Sequence, residues 1–359
     1  MITRPDSAAF GSCPMPKSRY DQILLGHGSG GRLSAELIQE VFLPAFGNDV
    51  LAALEDQATV RLGVDNGKPA PRVAFTTDSF VVRPLFFPGG NIGTLAVHGT
   101  VNDLAVGGAI PQFLAAAFIL EEGLPLDDLR RIVASMSAAC AAAGVTLVTG
   151  DTKVVDRGKG DGVFITTTGI GLVPAGRCLS IRNARPGDRI LVSGTLGDHG
   201  IAILSVREGL EFETVLESDT AALNGLTETI LTACPETRCM RDPTRGGLSS
   251  TLNELAEASR MGVELDEAAI PLRAEVRGAC EMFGLDPLYV ANEGKVTAVV
   301  PPEAAARVLT AMRSHPLGRN AAIVGTVVAD HPGLVTLRSL IGGERVVPML
   351  SGEQLPRIC

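Results

Sequence analysis

The sequence predicts a mixed α/β (α+β) protein of two domains. Three observations carry this: strand-like and helix-like stretches alternate in both halves, the 359 residues suffice for about two cores, and the composition shifts at residues 182–188. The expected division is 1–20 as a disordered extension, 21–182 as an N-terminal domain, 183–350 as a C-terminal α/β domain and 351–359 as a flexible tail.

The elements follow in order. After the apolar Ile23–Leu25 comes Gly26-His27-Gly28-Ser29-Gly30-Gly31, then a helix-like stretch with Leu33, Leu37, Ile38 and Val41 on one face. A glycine-rich loop ahead of a helix can turn its N–H groups toward phosphate, which makes Gly28, Ser29, Gly30 and Gly31 candidates for nucleotide binding. Gly26, Gly28 and Gly31 also fit the dinucleotide pattern GxGxxG, a weak match where only three apolar residues precede it.

Val73–Val82 predicts a strand bracketing Asp78. Residues 89–109 read as a helix of small residues that ends before Pro111. Asn102 and Asp103 interrupt its apolar face, so another backbone or a ligand is expected to come close there. Phe113–Leu120 predicts a buried strand, Leu126–Ala143 an amphipathic helix, Val145–Thr149 a strand running into Gly150-Asp151-Thr152-Lys153, and Val163–Val173 a returning strand. The second half predicts strands at Ile190–Ser193, Val296–Val300, Ala322–Val328 and Leu334–Leu337, with helices at 223–233, up to Met261, and at 301–314.

Composition excludes several classes. A net charge of -9 argues against a nucleic-acid surface, which needs a basic face to release phosphate counterions. No apolar run reaches membrane-spanning length. The seven cysteines follow no disulfide framework, which suits a reducing cytoplasm, and no His/Cys cluster has zinc spacing.

Three aspartates, Asp78, Asp103 and Asp151, sit at element ends or on the interrupted helix face. Hard carboxylates in such places suit Mg²⁺ with phosphates, and Lys153 follows the third closely enough to act as a point charge on a phosphoryl group. Glu293, within Asn292-Glu293-Gly294, reads either as a general base or as a strand cap paired with Lys295. The chain ends on Cys359, either a frayed end or a thiol on an arm that spans roughly 30 Å when extended.

The strings GHGSGG, TTDSFVVRPLFFPGGNIGTLAVHGTVNDLAVGGAIP, GDTKVV, MRDPTRGG, ANEGKV and the terminal PRIC together resemble the HypE hydrogenase maturation factors. These belong to the superfamily of aminoimidazole ribonucleotide synthetase, selenophosphate synthetase and thiamine-monophosphate kinase. The resemblance covers nearly everything from Ile23 to Cys359, and PRIC is specific to this one branch. It implies a homodimer whose N-terminal domains pair into a β-barrel flanked by helices, with ATP and Mg²⁺ near that interface under the glycine loop. Asp78, Asn102, Asp103 and Asp151 would then bind the cofactor, the three aspartates holding metal. The catalytic set would be Cys359, Lys153 and Glu293.

The implied activity is dehydration of a carbamoyl group on Cys359 to a thiocyanate. A HypF-type carbamoyltransferase would load the cysteine and a HypC–HypD-type iron scaffold would accept the cyanide. A small-molecule kinase of the same superfamily would have no need of a mobile terminal thiol. Selenophosphate synthesis would want a reactive Cys where the glycine loop has Ser29. A non-catalytic ATP-binding scaffold would not need the three aspartates and Lys153.

Overall fold

In the computed structural model, the residues described are 20, 22–63, 70–209, 216–352 and 355. The expected N-terminal extension, apart from Tyr20, and the terminal residues 356–359 with Cys359 lie outside them. After a 3-10 turn at Leu25–Gly28, the first α-helical stretch is made of three consecutive pieces: α1 (Arg32–Leu37), a π-wound turn (Ile38–Phe42) and α2 (Leu43–Phe46). None of its residues is buried, and Ile38, Val41 and Phe42 are exposed. The apolar stripe read there is therefore not a core face of this chain.

The first half is built on a five-stranded sheet. Its elements are β1 (Ala58–Arg61), β2 (Arg72–Phe80), a short hairpin of β3 (Phe86–Phe87) and β4 (Gly90–Asn91), α3 (Ile92–Val106), β5 (Ile110–Glu121), α4 (Leu126–Ala143), β6 (Thr146–Val155) and β7 (Val163–Val173). The strand order is β1-β2-β7-β5-β6. Only β5 and β6 pair in parallel, joined by the crossover helix α4 that a parallel pair requires. This is not the doubly wound sheet of a dinucleotide fold.

Helix α3 starts where the Asn91 side chain accepts the N–H groups of Gly93 and Thr94, while Thr94 Oγ1 accepts from Asn91 N. Small and apolar residues occur on every side of it, with His98, Asn102 and Asp103 among them, and it is enclosed by β2 and β7 on one side, by α4 on another, and by the second half of the chain on the rest.

The opposite face of the sheet carries Phe75, Phe113, Ile119 and Ile170, each between 43% and 47% exposed. Among the described residues of one chain this sheet is open, not closed into a barrel. The expected strand at Val145–Thr149 runs on to Val155, so Gly150, Asp151, Thr152 and Lys153 lie inside β6 and not in a loop after it. An edge strand paired on one side only tolerates such polar residues, because their side chains reach solvent.

The second half comprises β8 (Arg189–Val192), α5 (Asp198–Glu208), α6 (Asn224–Ala233), β9 (Cys239–Arg241), α7 (Gly247–Ser259), β10 (Gly262–Asp266), α8 (Ala274–Phe283), β11 (Thr297–Val300), α9 (Ala305–Ser314), β12 (Ala322–Val328), β13 (Val335–Arg338) and β14 (Glu344–Val346). Its seven strands order as β14-β13-β10-β12-β8-β11-β9. The central strands serve two cores at once. On β8, Ile190 and Val192 enter the core beneath α7, while Leu191 enters the core beneath α6 and α9. That alternation is the period-two signature of a sheet covered on both faces.

Candidate active site

The site forms where the two halves meet. Successive same-face positions on β2 are two residues apart, so Thr76 and Asp78 both look toward α3. Asp103 on α3 answers them: Thr76 Oγ1 lies 2.7 Å from its Oδ2. From the second half, the turn ahead of α7 supplies Asp242 and Arg245, and the loop ahead of β11 supplies Glu293. Asp78, Asp103, Asp242, Arg245 and Glu293 line one cavity of about 30 Å³, roughly the volume of a single water.

Four acids around so small a space raise one another's proton affinity. Burial pushes Asp78 up, opposed by Arg245. Burial and then the charges of Asp242, Asp78 and Asp56 raise Asp103 well above the usual carboxylate range. Asp242 rises to about 6, chiefly by burial. Glu293 too is held well above the usual carboxylate range, by burial and by Asp219, Asp78 and Asp242, and among the described residues its Oε1 has no hydrogen-bond partner. An acid so placed is a receptive proton acceptor once ionised.

Gly28, Gly30 and Gly31 line a second, neighbouring cavity of about 540 Å³, with Arg245 on the wall of both. Its other walls include Ile38, Phe42 and Leu54 on the apolar side and Glu254 on the polar side. The glycine loop also grips two other parts of the chain. Arg245 donates from Nη1 to Gly28 O at 3.0 Å, and Ser29 Oγ donates to Gly352 O at 3.0 Å. Gly31 has no room for a side chain, since a Cβ would stand 2.3 Å from Leu350 O, the oxygen that accepts from Arg32 N at 2.8 Å.

Other predicted site residues lie elsewhere. Asp78 shares a cross-strand row with Thr167, Ala116 and Gly150, whereas Asp151 pairs with Ala117, on the opposite face and three strands away, about 14 Å by strand spacing. Asp151 and Lys153 are exposed there and bond to each other at 2.5 Å, which holds Asp151 below the usual carboxylate range. Within one chain, then, two of the three predicted metal aspartates meet and the third does not. Asn102 is turned away from the cavity. It is 1% exposed, donates from Nδ2 to Ala221 O and Glu293 O, and accepts from Leu223 N. The interrupted helix face thus splits its tasks: Asn102 meets another backbone and Asp103 faces the cavity.

Among the described residues no three His, Cys, Asp or Glu side chains stand close enough to hold a metal ion unaided. The donor chemistry nevertheless fits Mg²⁺, which takes one or two carboxylates and completes its shell with phosphate oxygens and waters. The orphaned Glu293 Oε1 and the crowded acids are what a cation would relieve.

Arg245 is the addition that sequence reading passes over; Asp242 reads there only as a carboxylate beside the Arg241 guanidinium, with no place in the site. The stretch Met240-Arg241-Asp242-Pro243-Thr244-Arg245-Gly246-Gly247 did mark an acid and guanidinium beside glycines. Nothing in its spacing said that it folds against β2.

Fold and site together define a two-domain α/β protein with a charged pocket at the junction of its halves, and sequence comparison places that class. Models of AIR synthase related protein match residues 54–173 with the N-terminal domain and residues 185–337 with the C-terminal domain. The chain is 60% identical to the carbamoyl dehydratase HypE of Azotobacter vinelandii, over 95% of this chain and 98% of that one. A crystal structure of hydrogenase maturation protein HypE in complex with ATP is 48% identical and superposes with a TM-score of 0.78 over 94% of this chain and 100% of that one. A HypE–HypF complex is likewise 48% identical, with a TM-score of 0.81 over 88% of this chain and 99% of its counterpart. The chain belongs to the HypE carbamoyl dehydratase family.

Proposed function

We propose that the chain dehydrates a carbamoyl group carried on its own Cys359, converting Cys–S–C(=O)–NH₂ and ATP into Cys–S–C≡N, ADP and phosphate. The observation that carries this reading is the charged pocket joined, through Arg245, to a cavity large enough for a nucleotide, beside the loop that holds the root of the tail. An amide oxygen is a poor leaving group. Its attack on the γ-phosphorus makes it one, and ADP departs. One N–H proton leaves as the oxygen is phosphorylated and the second as phosphate departs, which closes the C≡N bond. Glu293 is the base for this proton removal, aimed into the pocket with one free oxygen.

ATP sits with its base and ribose in the larger cavity and its phosphates toward Arg245 and the acids. Asp78 and Asp103, with Asp242 beside them, would hold Mg²⁺, which would offset negative charge on the phosphates. The apolar open face of the first sheet takes a second copy of the chain, the two sheets pairing into a barrel. That pairing gives Asp151 and Lys153, on the same open face, a route to nucleotide at the interface. A HypF-type carbamoyltransferase loads Cys359, in line with the solved complex of a relative with HypF. A HypC–HypD-type scaffold receives the cyanide for a nickel-iron hydrogenase, in the cytoplasm. Among the described residues no helix is long and apolar enough to cross a membrane.

Mass spectrometry of the C-terminal peptide tests the sequence of events. Incubation with the carbamoyltransferase system adds a carbamoyl group, and ATP then removes water. Ligand synthesis by Cys359→Ala would overturn the reading.

A further inference from the structure

The main chain of Glu293 is held from both sides by side chains distant in sequence. Its N–H donates to Asp219 Oδ1 at 3.1 Å, and its carbonyl accepts from Asn102 Nδ2 at 3.3 Å. Asp219 belongs to a strap without helix or strand, residues 216–223, that touches both halves. Lys295 pins it with an Nζ–Oδ2 contact of 2.8 Å and reaches Asp198 at 3.7 Å. Both Asp219 and Lys295 side chains are at least nine-tenths buried. Asn102 fixes the same strap through Ala221 O and Leu223 N, and His98 and Pro88 tie it to the first half through Thr220 and Ser218. Next to Glu293, Gly294 has no side chain because a Cβ would stand 1.8 Å from Asp219 O. Strap and loop are therefore pressed backbone to backbone.

We propose that Asp219 and Asn102 form a clamp that positions Glu293, acting through the main chain of residue 293 so that its carboxyl stays aimed into the acidic pocket. The inference rests on the reading of Glu293 as the base. Neither clamp residue lines the pocket, so neither touches the reacting atoms. Besides the charge by which Asp219 helps raise the Glu293 carboxyl, their work is geometric: a proton acceptor displaced by an ångström loses much of its rate while nucleotide binding, which relies on other residues, is left as it was. The charged pair of Asp219 and Lys295 supplies stiffness, since a buried, mutually paired acid and amine hold one geometry at the price of desolvating both.

The test uses full-length chain, loaded with carbamoyl by its carbamoyltransferase, and reads the single-turnover rate of ATP-dependent water loss, the ATP dissociation constant and the melting temperature. Asp219→Ala lowers the rate by about ten-fold to a hundred-fold with ATP affinity unchanged, and Asp219→Asn, which keeps an acceptor for the Glu293 N–H but loses the ion pair with Lys295, recovers part of it. If Asp219→Ala weakens ATP binding and rate together, or Asp219→Asn is as slow as Asp219→Ala, the role is merely structural and the clamp is overturned. Glu293→Gln separates the two ideas. A slow Glu293→Gln alongside a fast Asp219→Ala removes the clamp alone, whereas a fast Glu293→Gln removes the base and the clamp with it.

Discussion

Ser29 donates its hydroxyl proton to the carbonyl of Gly352 across 3.0 Å, tying the glycine loop to the root of the C-terminal tail. The same single proton is shared with Gly26 O at 2.8 Å, a bifurcated bond that also braces the hydroxyl's own loop. Ser29→Ala removes a contact worth about 1 kcal/mol. Amide hydrogen exchange at residues 350–352 is expected to quicken while the second sheet is unaffected, and unchanged exchange there would show that Leu350 alone anchors the tail.

Asp103→Asn separates stability from activity. Burial and neighbouring acids raise the folded pKa of Asp103 above its unfolded value, so the ionised group costs stability progressively as pH rises from the unfolded pKa through the folded one. The amide removes that cost and still accepts from Thr76. Its melting temperature should match the parent at low pH and exceed it at pH 8. ATP-dependent dehydration should meanwhile fall by roughly 10²-fold. A variant less stable at pH 8 would refute the electrostatic account.

His98 gives a pH dependence of opposite sense. It bonds Thr220 Oγ1 at 2.9 Å, and burial lowers its pKa to about 4. The unfolded chain takes up the proton first, near pH 6.5, so stability is full above that value and declines as pH falls toward 4, by up to about 3 kcal/mol. His98→Asn keeps a hydrogen-bonding group and should flatten denaturant midpoints between pH 6.5 and 4.5. An equally steep fall in the variant would assign the slope to other groups.

Phe113→Glu addresses the open face. It puts a charge among Phe75, Ile119 and Ile170, where pairing with a second chain would bury it unpaired. Sedimentation should show the parent as a dimer and the variant as a monomer of unchanged circular dichroism. Parent protein sedimenting as a monomer would remove the barrel.

Asp151→Ala should leave carbamoylation of Cys359 intact and stop water loss, although Asp151 lies on the far face from Asp78 within one chain. Equal loss of both steps would point to misfolding, and loss of neither would take Asp151 out of the site.

The parts of this architecture legible in sequence were those governed by local periodicity. Leu126–Ala143 and Ala322–Val328 match their elements end to end because a helix stripe and an apolar run are properties of neighbouring residues. The candidate pocket was legible by composition at Asp78, Asp103 and Glu293, and Asp242 only as an acid beside Arg241. Arg245 and the strap at Asp219 were not legible, because their place comes from contacts between distant segments: Asp103 and Asp242 share a pocket only after the two halves dock. The apolar stripe on α1 misled in the other direction, since periodicity tells that a face is greasy and not whether this chain covers it.

Helix α3 has no solvent side. A helix that is wall to three neighbours acts as an axle fixed at both ends: it cannot slide or roll without opening a void in the sheet core, in the α4 contact or against the second half. Access to the acidic pocket must therefore be controlled at its rim, by the turn at 242–246 and the glycine loop that leans on it, while the floor set by Asp78 and Asp103 stays still. Whatever travels in the proposed cycle, the floor of this pocket does not.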